Sequence, residues 1–384
     1  MPEPSTQRDL RLDFFRGLSL IFIFIDHIPY NVLSYLTLQS NTFFDAAEVF
    51  IFISGYTAAL VYGRRLAAKG AIYATAQVWR RAWTLYVAHI FLFVLFIAQV
   101  SYTAATFNNP MYNEEMRVAD FLDEPHVAVV QALLLRFQPV FLDILPMYIV
   151  LLLMFPAVLL GLRRHWLLVL APSAALYGAV QIFDLAFAAY PPGHSWHFNP
   201  LAWQFLFVSG AVLAHLNAQG RDFTRLLRLA FPVAAAIFLA AFVVRFSWTL
   251  HMLWDPIPPL LLKPLWPAPK DSLSPVRLIP FFALVVLVAV LIPPHARFLA
   301  SRAARPLVTA GQQSLEIFCL GILLSALAHV LINELGYGLG LRLGVNALGI
   351  AIMLVAAMVL EWYKALDRMP ATRHKAPPVG RAAE

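Results

Sequence analysis

The residues best placed to do chemistry lie near the N-terminus, where Arg16, Asp26 and His27 interrupt an apolar run. Arg16 and His27 are eleven positions apart. That spacing is about three helical turns, so both side chains share one helix face, about 16 Å apart along the axis. If Arg16 lies near the cytoplasmic boundary of a membrane, His27 lies near its midplane, and Pro29 is expected to kink the helix just beyond.

A histidine at that depth can gain or lose a proton near neutral pH, which suits a general base. A histidine hydrogen-bonded between helices is the structural alternative. Asp26 points about 100° away on the same turn, where it could orient another group or face a second helix. The sequence therefore favours His27 as the first catalytic candidate, and Asp26 as a neighbour whose role depends on packing.

Glu48 is a further ionisable group within or close to an apolar run. An ionisable side chain inside a bilayer costs at least ~2.5 kcal/mol on insertion scales, so an unpaired carboxylate there is expensive. Pairing of Glu48 with His27 or Arg16 is one solution. The small pair Ser54 and Gly55, which follows on the same run, favours close helix packing.

The composition shows which elements must position these residues. Of 384 residues, 61% are hydrophobic and only 13% are charged, whereas soluble domains carry about 25% charged residues. An ordinary soluble enzyme and a disordered chain are thereby excluded, and a single cysteine, Cys319, excludes a disulfide scaffold. The continuous apolar runs predict an all-α membrane bundle of about ten helices rather than a β-barrel. These runs cover roughly 14–35, 43–62, 82–101, 141–160, 166–183, 201–217, 229–249, 277–293, 307–332 and 342–362.

Most of the 28 basic residues fall in every second joint between these runs. Such alternation predicts about ten spans with both termini in the cytoplasm. The first run has no cleavage site and is expected to stay as a span. Residues 1–368 are expected to form a single transmembrane domain, and 369–384 a disordered, basic cytoplasmic tail. The net charge of +7 indicates anchoring at the membrane rather than binding of nucleic acid.

Several motifs, in order along nearly the whole chain, resemble the membrane acyltransferase-3 superfamily. Arg16-x10-His27 is similar to its first-span signature, and Glu48–Tyr56 resembles its Phe-Phe-x-x-Ser-Gly-Phe motif. Trp79–Tyr86 and Gly311–Phe318 resemble two later motifs, although Gly321 stands where many members have a histidine. Four segments resemble the OpgC type, which is linked to succinylation of osmoregulated periplasmic glucans. They are Asp13–Gly17, Asp26-His27, Asp143–Tyr148 and Asn199–Phe207.

The resemblance implies an O-acyltransferase that moves a group, foremost succinyl, from a cytoplasmic CoA thioester to a glucan hydroxyl. His27 would be the base, Glu48 or Asp26 would orient it, and Arg16 would fix the donor or balance charge. Acyl-CoA would be a co-substrate, with no tightly bound cofactor. A covalent intermediate on Ser54 or Ser314 remains an alternative. The donor phosphates could pair with four arginines, which positive-inside anchoring explains equally well: Arg64, Arg65, Arg80 and Arg81.

The acceptor would be a periplasmic glucan or another polysaccharide, and glucan-synthesis proteins are candidate partners beside the lipid bilayer. Sugars often lie on aromatic rings, but interfacial belts also use aromatic residues. His194 and His197 are spaced like a metal pair but lack an obvious third ligand, so no metal is expected. Two other functions stay open: an O-acetyltransferase of another envelope polysaccharide, and a carbohydrate transporter or flippase, although inverted repeats are not apparent. The aromatic candidates, taken together with His197, are Tyr190, Trp196, Trp254 and Trp266.

Overall fold

A computed structural model describes residues 9–250, 265 and 267–367. Within these ranges the chain is built of helices and contains no strand; two isolated β-bridges join Phe137 to Tyr190 and Ala188 to Ser195. The predicted all-α class is therefore confirmed. The expected tail, 369–384, lies outside the described residues, as do Trp254 and Trp266.

The helices follow the predicted apolar runs closely, with short helical pieces between them. Two 3₁₀ segments, Val32–Leu36 and Arg297–Ala300, join longer elements. The α-helices described are α1 (Leu10–Asp26), α2 (Leu38–Asn41), α3 (Ala46–Thr106), α4 (Met111–Glu115), α5 (Ala119–Asp123), α6 (Pro125–Leu133), α7 (Ile144–Arg164), α8 (Leu167–Phe183), α9 (Pro200–Ala218), α10 (Thr224–Thr249), α11 (Pro275–Leu291), α12 (Arg305–Gln312), α13 (Ser314–Leu335) and α14 (Leu339–Leu366).

Six of the described helices are long and apolar enough to cross a membrane: α3, α7, α9, α10, α13 and α14. Two further apolar helices, α8 and α11, are shorter. The first helix, α1, has 17 residues and carries several charges. The protein is thus a bundle of membrane helices, whereas ten spans and the sides of the termini stay predictions.

The long helix α3 contains two of the predicted runs. It bends at Gly70, whose φ of +82° is a conformation that glycine adopts without steric cost. Arg65 Nη1 donates to Gln77 Oε1 at 3.2 Å, although on a straight helix these residues would lie about 18 Å apart. The two arms of α3 therefore run side by side. The predicted joint 63–81 is a helical hairpin rather than a loop.

The first helix ends earlier than its apolar run suggests. It stops at Asp26, and His27 is its C-cap, with the His27 N–H donating to the Ile23 carbonyl at 3.0 Å. Pro29 accounts for this end, because proline has no N–H and disfavours helical backbone in the residue before it. The expected kink within a continuing span is thus wrong, since the helix stops before Pro29 and the chain turns there.

Glycines allow the helices around α1 and α3 to approach closely. A β-carbon at Gly17 of α1 would collide with the Leu307 carbonyl of α12, and one at Gly311 would collide with the Asp13 carbonyl. A β-carbon at Gly55 of α3 would likewise meet the backbone of α9. The packing role expected for the Ser54-Gly55 pair is therefore confirmed for Gly55.

The two sets of joints lie at opposite ends of the bundle. At the end that contains the Gly70 bend, here called the basic end, Arg11 Nη1 donates to the Ile292 carbonyl at 2.9 Å. At the other end, here called the loop end, Arg342 Nη1 donates to the Tyr30 carbonyl at 3.2 Å. The N-terminus of α1 thus lies at the basic end, and His27 is displaced from it toward the loop end.

Candidate active site

His27 lies where three elements meet: the end of α1, the start of α3 and the turn that precedes α7. Its imidazole stacks on the ring of Phe141, with centroids 4.2 Å apart and planes 23° from parallel. Phe141 has the left-handed φ of +73°, a conformation that costs a non-glycine residue about 1–3 kcal/mol and is concentrated at functional sites. His27 Nδ1 is buried without a hydrogen-bond partner among the described residues.

Two cavities adjoin at this ring. The smaller, here called the histidine pocket, has a volume of about 50 Å³, and its walls include Asp26, Asp45 and Ala46. The larger, here called the loop cavity, has about 330 Å³ and opens among the segments that follow α6 and α8. His27 therefore stands between a narrow inner space and a roomy outer one. The residues shared by both cavities are His27, Phe141, Asp143, Phe198 and Lys270.

The start of α3 carries a buried cluster of four charged side chains. Asp45 and Glu48 form a capping box, in which the Asp45 N–H donates to Glu48 Oε2 at 3.0 Å. Arg277 of α11 binds both carboxylates, through Nε to Glu48 Oε1 at 2.7 Å and through Nη2 to Asp45 Oδ2 at 3.1 Å. Lys270 Nζ lies 2.8 Å from Asp45 Oδ2. Two carboxylates and two cations therefore satisfy one another at one wall of the pocket.

This cluster determines what Glu48 can do. Its side chain is 0% exposed, and its partners in the structure are Arg277 and the backbone of Asp45, rather than His27 or Arg16. Asp26 does line the histidine pocket, but its Oδ1 accepts a hydrogen bond from Thr37 Oγ1 at 2.6 Å. Stacking on Phe141 and the end of α1 thus orient His27 in the structure.

Arg16 occupies a different level of the bundle. Its Nη2 donates to Thr57 Oγ1 at 2.5 Å and lies 3.4 Å from the Ile53 carbonyl, so it links α1 to the first arm of α3. It does not line the histidine pocket. Of the four predicted catalytic residues, the structure places His27 and Asp26 together, while Glu48 supports their wall and Arg16 lies nearer the basic end.

The four predicted donor arginines lie on both sides of the Gly70 bend. Arg65 and Arg81 are both electrostatic neighbours of Tyr62, and the Arg65 guanidinium carbon lies 5.3 Å from that ring. Arg81 also lines a crevice of about 20 Å³ beside Ser314. Arg64 and Arg80 are exposed. Within the described residues, the structure thus places Arg65 against an aromatic ring and Arg81 at a crevice.

The crevice at Arg81 leads toward His27. Leu85 and Tyr148 form its walls with Ser314, and its far side is made by Ile144 and Phe318. Ile144 and Phe318 also line the histidine pocket. The crevice, the histidine pocket and the loop cavity thus follow one another through the bundle, with His27 between the second and the third.

Comparison with protein families decides the affiliation of this chain. A family model described as OpgC protein matches residues 8–365. The chain belongs to the OpgC protein family. No curated protein and no solved structure matches it. Membership in this family, together with the apolar helices, fits a membrane acyltransferase.

In this OpgC family member, the residues predicted to contact the sugar lie in different surroundings. Tyr190 and His197 line the loop cavity, whereas Trp196 is buried against Phe187, with ring centroids 5.5 Å apart. His194 lines the same cavity. Nowhere in the described ranges does a group of three or more potential metal ligands come together. The loop cavity is therefore a polar and aromatic space at the loop end.

Sequence reasoning missed the two cations that complete the site, Lys270 and Arg277, which look like ordinary residues of a long joint. It also missed the role of Asp45. One local signal was present: Asp45-x-x-Glu48 has the spacing of a capping box, which predicts two carboxylates at a helix start. The identity of their partners, more than 200 positions away along the OpgC chain, has no local signal.

Proposed function

We propose that this protein is an inner-membrane O-acyltransferase that moves a succinyl group from cytoplasmic succinyl-CoA to a hydroxyl of a periplasmic glucan. One observation carries this proposal: His27 lies between a small inner pocket, whose walls Ile144 and Phe318 also line the crevice at Arg81, and a roomy cavity at the loop end. A group with acid–base chemistry there can meet two substrates that arrive from opposite sides of a membrane. Family membership supports the same reaction class.

The donor would enter at the basic end. Guanidinium groups bind phosphate with two parallel hydrogen bonds, so Arg65 and Arg81 are suited to the phosphates of CoA. The pantetheine arm would follow the crevice past Leu85 and Ser314. The thioester would then pass Ile144 and Phe318, which line both spaces, to reach His27.

The acceptor would occupy the loop cavity. Its volume of about 330 Å³ lies at the lower end of the range of ligand pockets, about 300–1,000 Å³. Asp120, Asp143 and Gln138 line it and can accept hydrogen bonds from sugar hydroxyls. Tyr190 offers an aromatic face at the same cavity. A glucan residue bound there would present a hydroxyl to the ring of His27.

In the proposed reaction His27 takes the proton of the acceptor hydroxyl while the hydroxyl oxygen attacks the thioester carbonyl carbon. A carbon–oxygen bond forms, and the carbonyl oxygen carries the negative charge of the tetrahedral intermediate. The carbon–sulfur bond then breaks, and the departing CoA thiolate receives the proton from His27. Asp26 and Asp143 line the pocket and stabilise the transient imidazolium, while Arg16 holds α1 against α3 on the donor side.

The test is mass spectrometry of periplasmic glucans from cells with and without the gene. We expect glucans heavier by whole succinyl groups only when the gene is present, and loss of these groups with His27→Ala at equal protein level. Acetyl increments instead would assign the alternative donor. Glucans that change in location but not in mass would favour a transporter and contradict the enzyme.

A further inference from the structure

Lys270 is one of the residues that line the histidine pocket. Of the described residues that line it, Lys270 is the only lysine or arginine. Lys270 also lines the loop cavity, so this residue borders both spaces that meet at His27. Arg117, by contrast, lines the loop cavity alone. Lys270 is therefore the cation at the place where the two substrates would meet.

Both ends of Lys270 are held. Its backbone carbonyl accepts a hydrogen bond from Trp203 Nε1 at 3.0 Å, and Trp203 is fully buried in α9. Its Nζ lies 2.8 Å from Asp45 Oδ2 and 4.8 Å from the centre of the Phe198 ring. A lysine side chain ordinarily loses much rotamer entropy when it is fixed. Here the side chain of Lys270 loses this entropy when the protein folds rather than when the substrate binds.

The framework behind Lys270 is rigid as well. Asp45 is the N-cap of α3, where its Oδ1 accepts from the Ala47 N–H at 2.8 Å. Its other oxygen is shared between Lys270 and Arg277. An ammonium group has three N–H donors. Asp45 leaves part of this capacity available to a ligand in the pocket.

Acyl transfer from a thioester needs such a group. When the acceptor oxygen bonds to the carbonyl carbon, the π electrons move onto the carbonyl oxygen, which becomes an oxyanion until the carbon–sulfur bond breaks. The acidic side chains of the pocket, Asp26, Asp45 and Asp143, supply no positive charge to it. A fixed cation in a water-poor site stabilises this charge far better than water does.

We propose that Lys270 is a catalytic residue whose ammonium group stabilises the oxyanion of the tetrahedral intermediate at His27. This inference rests on the proposed acyl transfer and adds the group that stabilises its transition state. Lys270 donates a hydrogen bond to the developing oxyanion and keeps its own proton throughout. His27 alone transfers the proton, from the acceptor hydroxyl to the departing thiolate.

The experiment compares Lys270→Met and Lys270→Arg in purified full-length protein, with succinyl-CoA and acetyl-CoA as donors and glucan as acceptor. Loss of one oxyanion-stabilising group costs about 10²–10³-fold in kcat. We expect that loss for Lys270→Met with both donors, KM values within about threefold, and partial recovery with Lys270→Arg. Arg277 still pairs with Asp45 in these variants, and unfolding temperature in detergent checks that they fold.

The matched control is Lys364→Met. Lys364 also pairs with a carboxylate, Glu316 at 2.8 Å, but it lies at the basic end and outside every cavity described here. We expect its kcat to stay within about threefold of the unchanged protein. A further contrast is Arg117→Gln, for which we expect a higher acceptor KM rather than a lower kcat.

Two results would overturn the proposal. If the unchanged protein transfers acyl groups and folded Lys270→Met keeps kcat within about threefold, Lys270 does not stabilise the oxyanion. If only succinyl-CoA is affected, through its KM, Lys270 binds the free carboxylate of the donor instead. Absence of transfer by the unchanged protein from either donor would contradict the proposed function itself, which separates the two failures.

Discussion

Two charged regions of this molecule differ in how their charges are satisfied. At the histidine pocket, Asp45, Glu48, Lys270 and Arg277 bind one another and are largely buried. Around the Gly70 bend, the four predicted donor arginines are exposed or half-buried, and no carboxylate lies in an ion pair with any of them among the described residues. In the first region every charge has a partner of opposite sign before any ligand arrives, whereas the arginines of the second region have no such partner among the described residues.

The difference follows from the cost of burying charge. A charged group in an apolar interior is retained only when it is paired and hydrogen-bonded. The cluster at the start of α3 therefore has to be self-sufficient, and its geometry is fixed by folding. Exposed arginines are hydrated and need no carboxylate partner in the protein. Their guanidinium groups can therefore bind phosphates. Fixed charge suits transition-state stabilisation, and adaptable charge suits ligand capture.

The largest expected effect is at His27. His27→Ala should lower acyl transfer by about 10²–10⁴-fold at normal protein level, because a general base contributes about that factor. His27→Asn keeps a hydrogen bond but accepts no proton, so it should not restore activity. The measurement is the rate of acyl transfer in isolated membranes. His215→Asn is the control, since His215 bonds to Gln219 away from the pocket.

A structural histidine would give another pattern. His27→Asn would then restore part of the activity, and His27→Ala would lower the unfolding temperature in detergent. Activity above about a tenth of the normal value in His27→Asn would exclude the general-base role.

The next effect concerns stability of the charged cluster. Arg277→Met leaves Glu48 buried without its cation, and removal of one partner from a buried pair costs about 3–5 kcal/mol of unfolding free energy. Unfolding in detergent should therefore occur at clearly lower temperature. The double variant Glu48→Gln, Arg277→Met should recover part of the loss, because no buried charge then lacks a partner.

Arg305→Met is the matched control for this cluster. Its ion pair with Glu361 spans 3.6 Å, and the Arg305 side chain is 72% exposed. Loss of such a surface pair changes stability by about 0–1 kcal/mol. Equal destabilisation by Arg277→Met and Arg305→Met would contradict the contrast between the two kinds of charge.

A smaller effect is expected at the donor arginines. Arg65→Gln with Arg81→Gln should raise the KM for acyl-CoA about 10–100-fold, since a hydrogen bond to a charged group contributes about 1.5–3 kcal/mol. The kcat should change little, because neither residue lies at His27. Arg163→Gln, exposed at the end of α7, should leave KM unchanged. An unchanged KM in the double variant would contradict the role in donor binding and leave membrane anchoring as the function of both arginines.

The smallest perturbation tests orientation. In a Cys319→Ser background, Asp184→Cys and Arg225→Cys place single thiols at exposed positions at the loop end and the basic end respectively. If the basic end is cytoplasmic, a membrane-impermeant maleimide should label position 184 in intact spheroplasts and position 225 only after permeabilisation. The reverse labelling would place the loop end in the cytoplasm and invert the proposed direction of transfer.

Much of this fold follows from local sequence. Each predicted apolar run coincides with all or part of a described helix, because backbone groups in hydrocarbon must be hydrogen-bonded within their own segment. Pro29 ends α1 and Gly70 bends α3 for equally local reasons. Family membership agrees with the motifs around Arg16-x10-His27.

Composition and motifs are enough to identify a helical membrane protein of the OpgC family and to show that Glu48 needs a partner. They do not reveal that the partner is Arg277, that Phe141 stacks on His27, or that Lys270 borders both cavities. Those contacts depend on which helices adjoin, and adjacency is decided by the packing of whole helices, as where Gly17 and Gly311 bring α1 and α12 together. The local sequence around a residue does not predict which helices pack together. Helices of similar apolar composition can pack in many ways, and the energy differences between these arrangements arise only from the contacts themselves.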